Sequence, residues 1–295
     1  MLDVTRLRVL VAIAKHGSLT AAAAALHYTQ PSISHHLSRL EAEVGTPLLV
    51  RAGRGVRLTE AGRLLARRAE EILGRLEAAG AEIATYAGLR RGTVRLAAFP
   101  SALGTVVPWA AAHFRQAYPH LELALREEEP PQALDALRAG EVDVALVFDH
   151  GATATGADMT VQDLFVEPLY LVTPVEETGP VDLEYYRDRR WIAGCDQCRA
   201  HLLAECARHG FTPQIGFTTD DYVAVQALVA AGLGVTTLPG LALVASRHDR
   251  VRVQRLPGDR RWVRVATYGR PPHAAPVAAF LEVLTATVTT VPAWP

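Results

Sequence analysis

Residues 18–62 read SLTAAAAALHYTQPSISHHLSRLEAEVGTPLLVRAGRGVRLTEAG. Within this stretch, Thr29 is a residue type that accepts hydrogen bonds from the free N–H groups of a first helical turn. Pro31 fits inside that turn, where a missing N–H costs little. Gly45 is typical of the position just after a helix. We therefore expect a helix over residues 30–44.

This predicted helix has an apolar side and a polar side. Apolar residues recur at spacings that stack on one side of a 3.6-residue helix, namely Ile33, Leu37, Leu40 and Val44. The opposite side and its flank carry Gln30, Pro31, Ser34, His35, Ser38 and Arg39. Short or hydrogen-bonding side chains of this kind can approach base edges and phosphates. Taken alone, the helix fits an ordinary solvated surface equally well.

The flanking segments favour a helix-turn-helix with a wing. Ser18 can cap a short helix over residues 19–26, and only a few residues separate it from the next helix. A third helix is expected over residues 2–14, where apolar residues recur at helical spacing. Residues 48–51 and 56–58 predict two short strands around a glycine turn.

Three arginines surround that glycine turn. Arg54, at the predicted tip, can reach into a narrow minor groove, and Arg51 and Arg57 can neutralise phosphates. Isolated surface arginines usually serve solubility. Three of them around one turn beside a helix-turn-helix favour contact with phosphates.

The stretches TQPSISHHLSRLEAEVGTPLLVR (29–51) and RGVRLTEAG (54–62) resemble the winged helix-turn-helix of the LysR-type transcriptional regulators. The resemblance implies that Arg54 serves the wing. It also implies that a set of helix residues approaches the major groove, namely Gln30, Pro31, Ser34, His35 and Arg39. His35 and His36 depart from the family, which often has arginine or glutamine there, so the preferred bases and any pH dependence stay open.

Composition agrees with a modular DNA-binding protein. The chain has 295 residues and is 49% apolar, enough for two or three compact units. Residues 1–90 carry 12 Lys and Arg against 8 Asp and Glu, whereas the remainder carries 18 against 23. The positive charge thus lies in the part expected to bind DNA.

No apolar run approaches the ~20 residues that a membrane span needs. Asp3, Arg6 and Arg8 also interrupt any signal-peptide layout at the N-terminus. We therefore expect no membrane partner and a cytoplasmic location.

Residues 59–90 read as one long linker helix. Its apolar residues alternate at four and three positions, a heptad seam formed by Leu65, Ala69, Ile72, Leu76, Ala79, Ile83 and Tyr86. The seam predicts a partner helix and hence a homodimer, which suits a pseudo-palindromic promoter site on double-stranded DNA. An alternative is a single amphipathic helix packed on its own C-terminal domain. The family resemblance implies the dimer linker and, beyond it, a homotetramer.

Residues 93–295 alternate between strand-like and helical stretches, which predicts a mostly parallel sheet, or two such sheets, covered by helices. The expected strands are 94–99, 121–125, 142–148, 168–173, 191–194, 234–238 and 263–268. The expected helices are 103–118, 131–139, 199–208, 221–231 and 276–288.

The family resemblance continues, more weakly, in LAAFPSAL (96–103), GEVDVALV (140–147) and VAAGLGVTTLP (229–239). It implies an α/β effector domain of two lobes, like a periplasmic binding protein, that senses a small molecule. The expected domains are 1–58 (winged helix-turn-helix), 59–90 (linker) and 91–295 (effector domain). We expect lobe I at about 91–162 with 268–295, and lobe II at about 163–267.

The topology predicts a ligand cleft. In open α/β sheets, ligands lie beyond the C-terminal ends of strands, beside helix N-termini. The residues expected at such ends are Ser101, Phe148, Asp149, Cys195, Gln197, Thr218 and Thr219. Helix capping is the simpler role for the hydroxyl and carboxylate residues. The charge of the effector stays open, because aspartates lie near the predicted helix N-termini.

Cys195, Cys198 and Cys206 lie close together in the sequence. Cys195 and Cys198 form a C-x-x-C, but no second pair completes a zinc set, so we predict no metal site and no cofactor. Cys198 and Cys206 would lie roughly 12 Å apart on one helix, beyond the reach of a disulfide. Reduced, buried cysteines are the simplest interpretation. A redox switch stays open, because a peroxide-sensing branch of the family uses cysteines in this lobe.

We do not expect an enzyme. The sequence has no G-x-S-x-G nucleophile elbow, no P-loop and no Rossmann glycine pattern. The alternative is an α/β solute-binding module or an enzyme acting on a small metabolite. Either would leave residues 1–90 without a role.

Overall fold

The computed structural model of the chain describes residues 2–52, 55–86, 92–151, 159–289 and 294. The chain separates into two compact units. The N-terminal unit spans Met1–Leu89 with Asp135–Glu141, and the C-terminal unit spans Arg90–Leu134 with Val142–Pro295. Each unit has its own buried apolar clusters.

The N-terminal unit is built of helices and a β-hairpin. Its elements are α1 (Val4–His16), α2 (Leu19–Ala25), α3 (Gln30–Val44), β1 (Leu49–Ala52), β2 (Gly55–Leu58) and α4 (Glu60–Tyr86). β1 and β2 pair antiparallel, with Leu49 opposite Leu58. This order confirms the predicted helix-turn-helix followed by a wing and a long helix.

The starts of α2 and α3 and the end of α3 are set by the predicted capping residues. Ser18 Oγ accepts a hydrogen bond from the Ala21 N–H at 3.0 Å, and Thr29 Oγ1 accepts one from the Ser32 N–H at 3.4 Å. Gly45 ends α3 in the left-handed region, with φ of 71°. A side chain there would strain the backbone, so glycine fits the position.

The predicted apolar side of α3 faces the core. Ile33 and Leu40 are fully buried, and α1 packs against α2, α3 and α4. Ala66 and Ala69 of α4 join the same core, so the first half of α4 belongs to this unit. Among the described residues, no helix is by itself both long and apolar enough to cross a membrane; α1 and α2 reach that threshold only together, across a 117° bend.

The rest of the chain alternates strands and helices, as expected. The elements are β3 (Gly92–Ala98), α5 (Pro100–Leu103), α6 (Val106–Ala117), β4 (Leu121–Glu127), α7 (Pro130–Arg138), β5 (Val144–Asp149), β6 (Met159–Pro174), β7 (Arg190–Ala193), α8 (Asp196–Arg208), β8 (Gln214–Thr218), α9 (Tyr222–Ala230), β9 (Thr236–Pro239), α10 (Gly240–Ala245), β10 (Val251–Tyr268) and α11 (Ala275–Val288).

The strands form a mixed sheet, not the mostly parallel one predicted. In the described part of the chain, the large sheet has the order β4-β3-β5-β10-β6-β9. β3 is parallel to β4 and β5, whereas β10 is antiparallel to both β5 and β6. β7 and β8 pair parallel in a separate small sheet. The long antiparallel pair β6 and β10 therefore joins in one large sheet regions for which the prediction left one sheet or two open.

The sequence pattern missed parts of this sheet for a physical reason. β6 has 16 residues and β10 has 18, but only 168–173 and 263–268 were predicted as strands. The remaining parts of both strands are largely half-buried or exposed and include many charged residues, so they show no apolar run. β8 is exposed along most of its length and was missed for the same reason.

The C-terminal unit contains separate buried clusters. Phe99, Phe114 and Phe280 lie in one of them, and Trp191 and Tyr186 lie in another. α11 supplies Phe280 and packs against α6, so the C-terminal helix packs with the elements that begin this unit. The two lobes and their bounds stay a prediction.

Candidate nucleic-acid interface and ligand-binding cleft

The polar side of α3 is open to solvent. The exposed residues on it are Gln30, Pro31, His35, Ser38 and Arg39. Ser34 is half-buried, and its Oγ accepts a hydrogen bond from Gln30 Nε2 at 3.1 Å. The residues predicted to approach the major groove therefore lie on one accessible face, opposite the buried Ile33 and Leu40.

Arg39 is available for an outside partner. Within the residues that the structure describes, its guanidinium makes no hydrogen bond and no ion pair. An arginine in this state keeps five donors in a planar fork, a geometry that matches phosphate oxygens or the O6 and N7 atoms of guanine.

The hairpin holds the other predicted DNA contacts. Arg57 is an exposed residue of β2 and pairs with Val50 across the hairpin. Arg51 lies in β1, where its backbone pairs with Val56. Arg54, predicted at the tip, lies outside the described residues.

Tyr28 is an exposed aromatic residue that the sequence pattern did not single out. Its side chain is 43% exposed just before the cap of α3, and its ring centroid lies 5.7 Å from that of His36. Its position in the sequence, two residues before Gln30, was the signal that could have placed it beside the accessible face of α3. Tyr28 thus extends the accessible face by one hydrogen-bonding side chain.

The predicted cleft is organised around a buried arginine, Arg261 of β10. Its Nη2 donates to Ser101 Oγ at 2.8 Å, and its Nε donates to Glu167 Oε1 at 2.5 Å. Glu167 is 0% exposed and Arg261 is 3% exposed. Glu167 Oε2 also accepts the Leu241 N–H at 2.7 Å. Burial raises the pKa of Glu167, and the neighbouring Arg261 opposes that shift.

Aromatic rings hold the same guanidinium in place. The Arg261 guanidinium carbon lies 4.2 Å from the centroid of the Phe148 ring and 4.9 Å from that of Phe99. The two rings meet edge to face, with centroids 4.9 Å apart. Cation–π contacts of this kind are strongest when they are desolvated, so the cluster fixes the position of the cation.

Two buried acceptor oxygens lie near this cluster. Gln197 Nε2 donates to the Phe148 carbonyl oxygen at 3.0 Å, and Gln197 Oε1 is buried and has no hydrogen-bond partner within the described part of the chain. Glu129 Oε2 is likewise buried and, among the described residues, has no hydrogen-bond partner. Burial raises the pKa of Glu129, and the nearby Cys195 thiol opposes the shift. Unsatisfied acceptors are costly, so a bound molecule with donors would stabilise the site.

Of the predicted cleft residues, Ser101 and Phe148 contact Arg261. Gln197 bonds to the Phe148 carbonyl, and Cys195 packs against the buried cluster that contains Phe148. The other three have local roles in the structure. The Asp149 carboxylate pairs with Arg264 and accepts the Gly151 N–H at 2.7 Å. Thr219 Oγ1 accepts the Asp221 N–H at 3.3 Å, and Thr218 is exposed at the end of β8.

Arg261 and Glu167 were missed by the sequence pattern. Both are buried charged residues of β6 and β10, but they lie just before the predicted strands 168–173 and 263–268, so no strand pattern marked them. A charge at such a position needs a partner, but the two residues are separated by 94 positions. Which distant residue supplies the partner cannot be inferred from local pattern.

The cysteines are all free thiols. Cys195 Sγ lies 3.1 Å from Cys198 Sγ at the start of α8, and the Cys195 thiol donates to Cys198. This contact lowers the pKa of Cys198, whereas burial raises the pKa of Cys206 to about 12. Cys206 is therefore a buried, protonated packing residue, as the simplest interpretation predicted.

The structure also brings together three side chains that are distant in the sequence. The ligand-type atoms of His150, His201 and Asp259 all lie within 4.8 Å of one another. Sequence pattern alone predicted no metal site, because no two of these residues stand at a metal-ligand spacing.

Comparison with protein families matches both units. Residues 4–63 match the family model described as a bacterial regulatory helix-turn-helix protein of the lysR family. Residues 87–289 match the model described as the LysR substrate binding domain. Together the two models span nearly the whole chain.

Individual relatives agree. The chain is 31% identical over 249 residues to a probable hydrogen peroxide-inducible genes activator of Streptomyces viridosporus, covering 82% of this chain and 78% of that one. It is 29% identical over 268 residues to a probable cat1 operon transcriptional activator of Acinetobacter lwoffii, covering 88% and 87%. The crystal structure of CbnR, a LysR family transcriptional regulator, matches with a TM-score of 0.67 at 21% identity, covering 97% and 99%. At that identity the likeness to CbnR is one of fold.

Proposed function

The chain belongs to the LysR family of transcriptional regulators, and from that membership we propose which of its residues read DNA and which hold the effector. Members of the family bind DNA through the helix-turn-helix, sense a small molecule with the C-terminal domain and form oligomers. The relatives are regulators. We propose that this chain likewise acts by binding alone, in the cytoplasm, without a chemical step.

DNA recognition is assigned to the exposed side of α3, and that accessible polar face is the observation that carries the proposal. Gln30, His35 and Arg39 have the hydrogen-bonding groups that base edges accept, and Pro31 and Ser34 allow close approach near the N-terminus of the helix. Arg51, Arg54 and Arg57 of the wing neutralise phosphates or enter the adjacent minor groove.

Dimerisation is assigned to the second half of α4. Leu65 and Ala69, which begin the predicted seam, pack in the core of their own unit. Ile72, Leu76 and Ile83 are 40%, 49% and 68% exposed. Apolar side chains at this spacing need a partner helix, and a second copy of α4 supplies one. Pairing of two such dimers would give the tetramer that the family resemblance implies.

The effector is assigned to the cluster around Arg261. Ser101 Oγ, Gln197 Oε1 and Glu129 Oε2 offer oxygen atoms at or near this cluster. A small polar molecule that carries N–H or O–H donors would satisfy the two unpartnered oxygens. Its binding would favour one closure of the lobes and so shift the population of states in which the DNA-binding heads match the operator.

Fluorescence anisotropy on full-length protein tests the DNA assignment, with a duplex from just upstream of its own gene and a random duplex. Arg39→Ala should cost about 1–3 kcal/mol on the specific duplex, whereas His35→Ala should change the preference between the two duplexes. Arg67→Ala is the matched control, because Arg67 is an exposed arginine of α4 away from α3. Wild-type protein that binds neither duplex at low ionic strength would refute the proposal.

A further inference from the structure

His150, His201 and Asp259 form a cluster that none of the roles above requires. His150 follows β5, His201 lies on α8, and Asp259 lies in β10 where the pairing with β6 shifts register between Arg255 and Arg260. The two imidazole rings stack, with centroids 3.7 Å apart and an interplanar angle of 7°. His201 Nε2 lies 2.9 Å from Asp259 Oδ1.

His150 lacks the partners that a buried imidazole normally has. Both of its ring nitrogens are buried, and neither forms a hydrogen bond with any described residue. A buried polar atom without a hydrogen-bond partner is costly, so one that is retained is a candidate for binding a ligand. An ion bound by one of these nitrogens would supply the missing partner.

We propose that His150, His201 and Asp259 bind one divalent transition-metal ion of the zinc type. Two imidazoles and a carboxylate are the three protein ligands of many zinc sites, in which a fourth position stays open. The lone pairs lie in the ring planes, so the two stacked rings must tilt to face the same ion. The ligand atoms already lie within 4.8 Å of one another, so the change required is a reorientation of the rings.

The donor set selects the class of ion. Imidazole nitrogen suits Zn²⁺, Cu²⁺ and Ni²⁺, whereas Mg²⁺ and Ca²⁺ prefer a shell made of oxygen. Glu205 Oε1 lies 3.5 Å from His201 Nε2, so a second carboxylate is close to the metal ligand. It lies near the same nitrogen that faces Asp259, so it adds negative charge where the ion would bind.

An ion at this site would connect the two lobes. His150 extends from a strand of the first lobe, His201 belongs to a helix of the second, and Asp259 lies on the long strand that runs through both. An ion bound by all three side chains stabilises the conformation in which they lie together. The site borders the assigned effector cluster, since the ring centroids of His150 and Phe148 lie 6.0 Å apart, but metal binding can be measured without knowing the effector.

Isothermal titration of ZnCl₂ into reduced, chelator-treated full-length protein tests the site. We expect one ion per chain, and at least about a ten-fold loss of affinity in both His201→Ala and Asp259→Asn. His209→Ala is the matched control, because His209 caps the same helix and is exposed, and it should bind as the wild type does. Circular dichroism melting establishes that the variants fold.

Cobalt distinguishes this site from the cysteines. Co²⁺ bound to the wild type should show d–d bands without a thiolate-to-cobalt charge-transfer band, and the spectrum should persist in Cys195→Ser. A thiolate band, Zn²⁺ affinity unchanged in both ligand variants, or no binding by the wild type would each overturn the proposal.

Discussion

Arg261 shows how one residue can organise a site. Its guanidinium bonds to Ser101 and Glu167 and lies against the Phe99 and Phe148 rings, all in the interior. A buried ion pair is weak evidence for stability, because desolvation offsets the attraction. Replacing only one member of the pair is costly, however, because the remaining charge stays buried without a partner.

Arg261→Met should therefore destabilise the C-terminal unit by about 3–5 kcal/mol, because Glu167 stays buried without its cation. The double variant Glu167→Gln with Arg261→Met should recover much of that loss. Urea unfolding, followed by tryptophan fluorescence at one fixed protein concentration, measures both effects. Arg255→Met, an exposed position on the same strand, is the control. A double variant as unstable as Arg261→Met would contradict this account.

Among the helices and strands, features set by neighbouring residues could be predicted from the sequence, whereas pairing between distant segments could not. The start and end of α3 follow from Thr29 and Gly45, which act within one turn of the helix. β8 and the exposed parts of β6 and β10 exist because distant segments pair with them, so no local pattern marks them. The same limit applies to the sites. Ser101 follows a predicted strand, whereas His201 and Asp259 meet across 58 positions.

The exposed seam of α4 is proposed to form the dimer, and measuring oligomerisation tests that role. Leu76→Glu should weaken the dimer, because a fully buried leucine contributes roughly 1.5–3 kcal/mol in each copy and a buried carboxylate adds a desolvation cost. Sedimentation equilibrium over a range of protein concentrations measures the dissociation constant. Arg67→Glu is the control, since Arg67 lies on the opposite side of the helix and is exposed. Equal dissociation constants for the two variants would exclude the seam.

The whole molecule separates DNA binding from sensing, in charge as well as in fold. Residues 1–90 have a surplus of basic residues, and the rest of the chain has a surplus of acidic ones. The domain order and fold class were predictable from the sequence, because the helix-turn-helix segment has a distinctive local pattern. If the two functions are coupled, the effector and DNA must change each other's affinity by the same factor.

Ser101 allows that coupling to be tested in the whole chain. Screening metabolites for one that changes the wild-type footprint upstream of its own gene would supply the effector. Ser101→Ala should then leave DNA affinity unchanged but weaken the response, because it removes the hydroxyl that accepts from Arg261 at the proposed effector site. A hydrogen bond to a charged group contributes about 1.5–3 kcal/mol. Thr219→Ala, a second hydroxyl from the predicted cleft that instead bonds to the Asp221 N–H, should respond like the wild type. A normal response in Ser101→Ala, or loss of response in Thr219→Ala alone, would place the effector elsewhere.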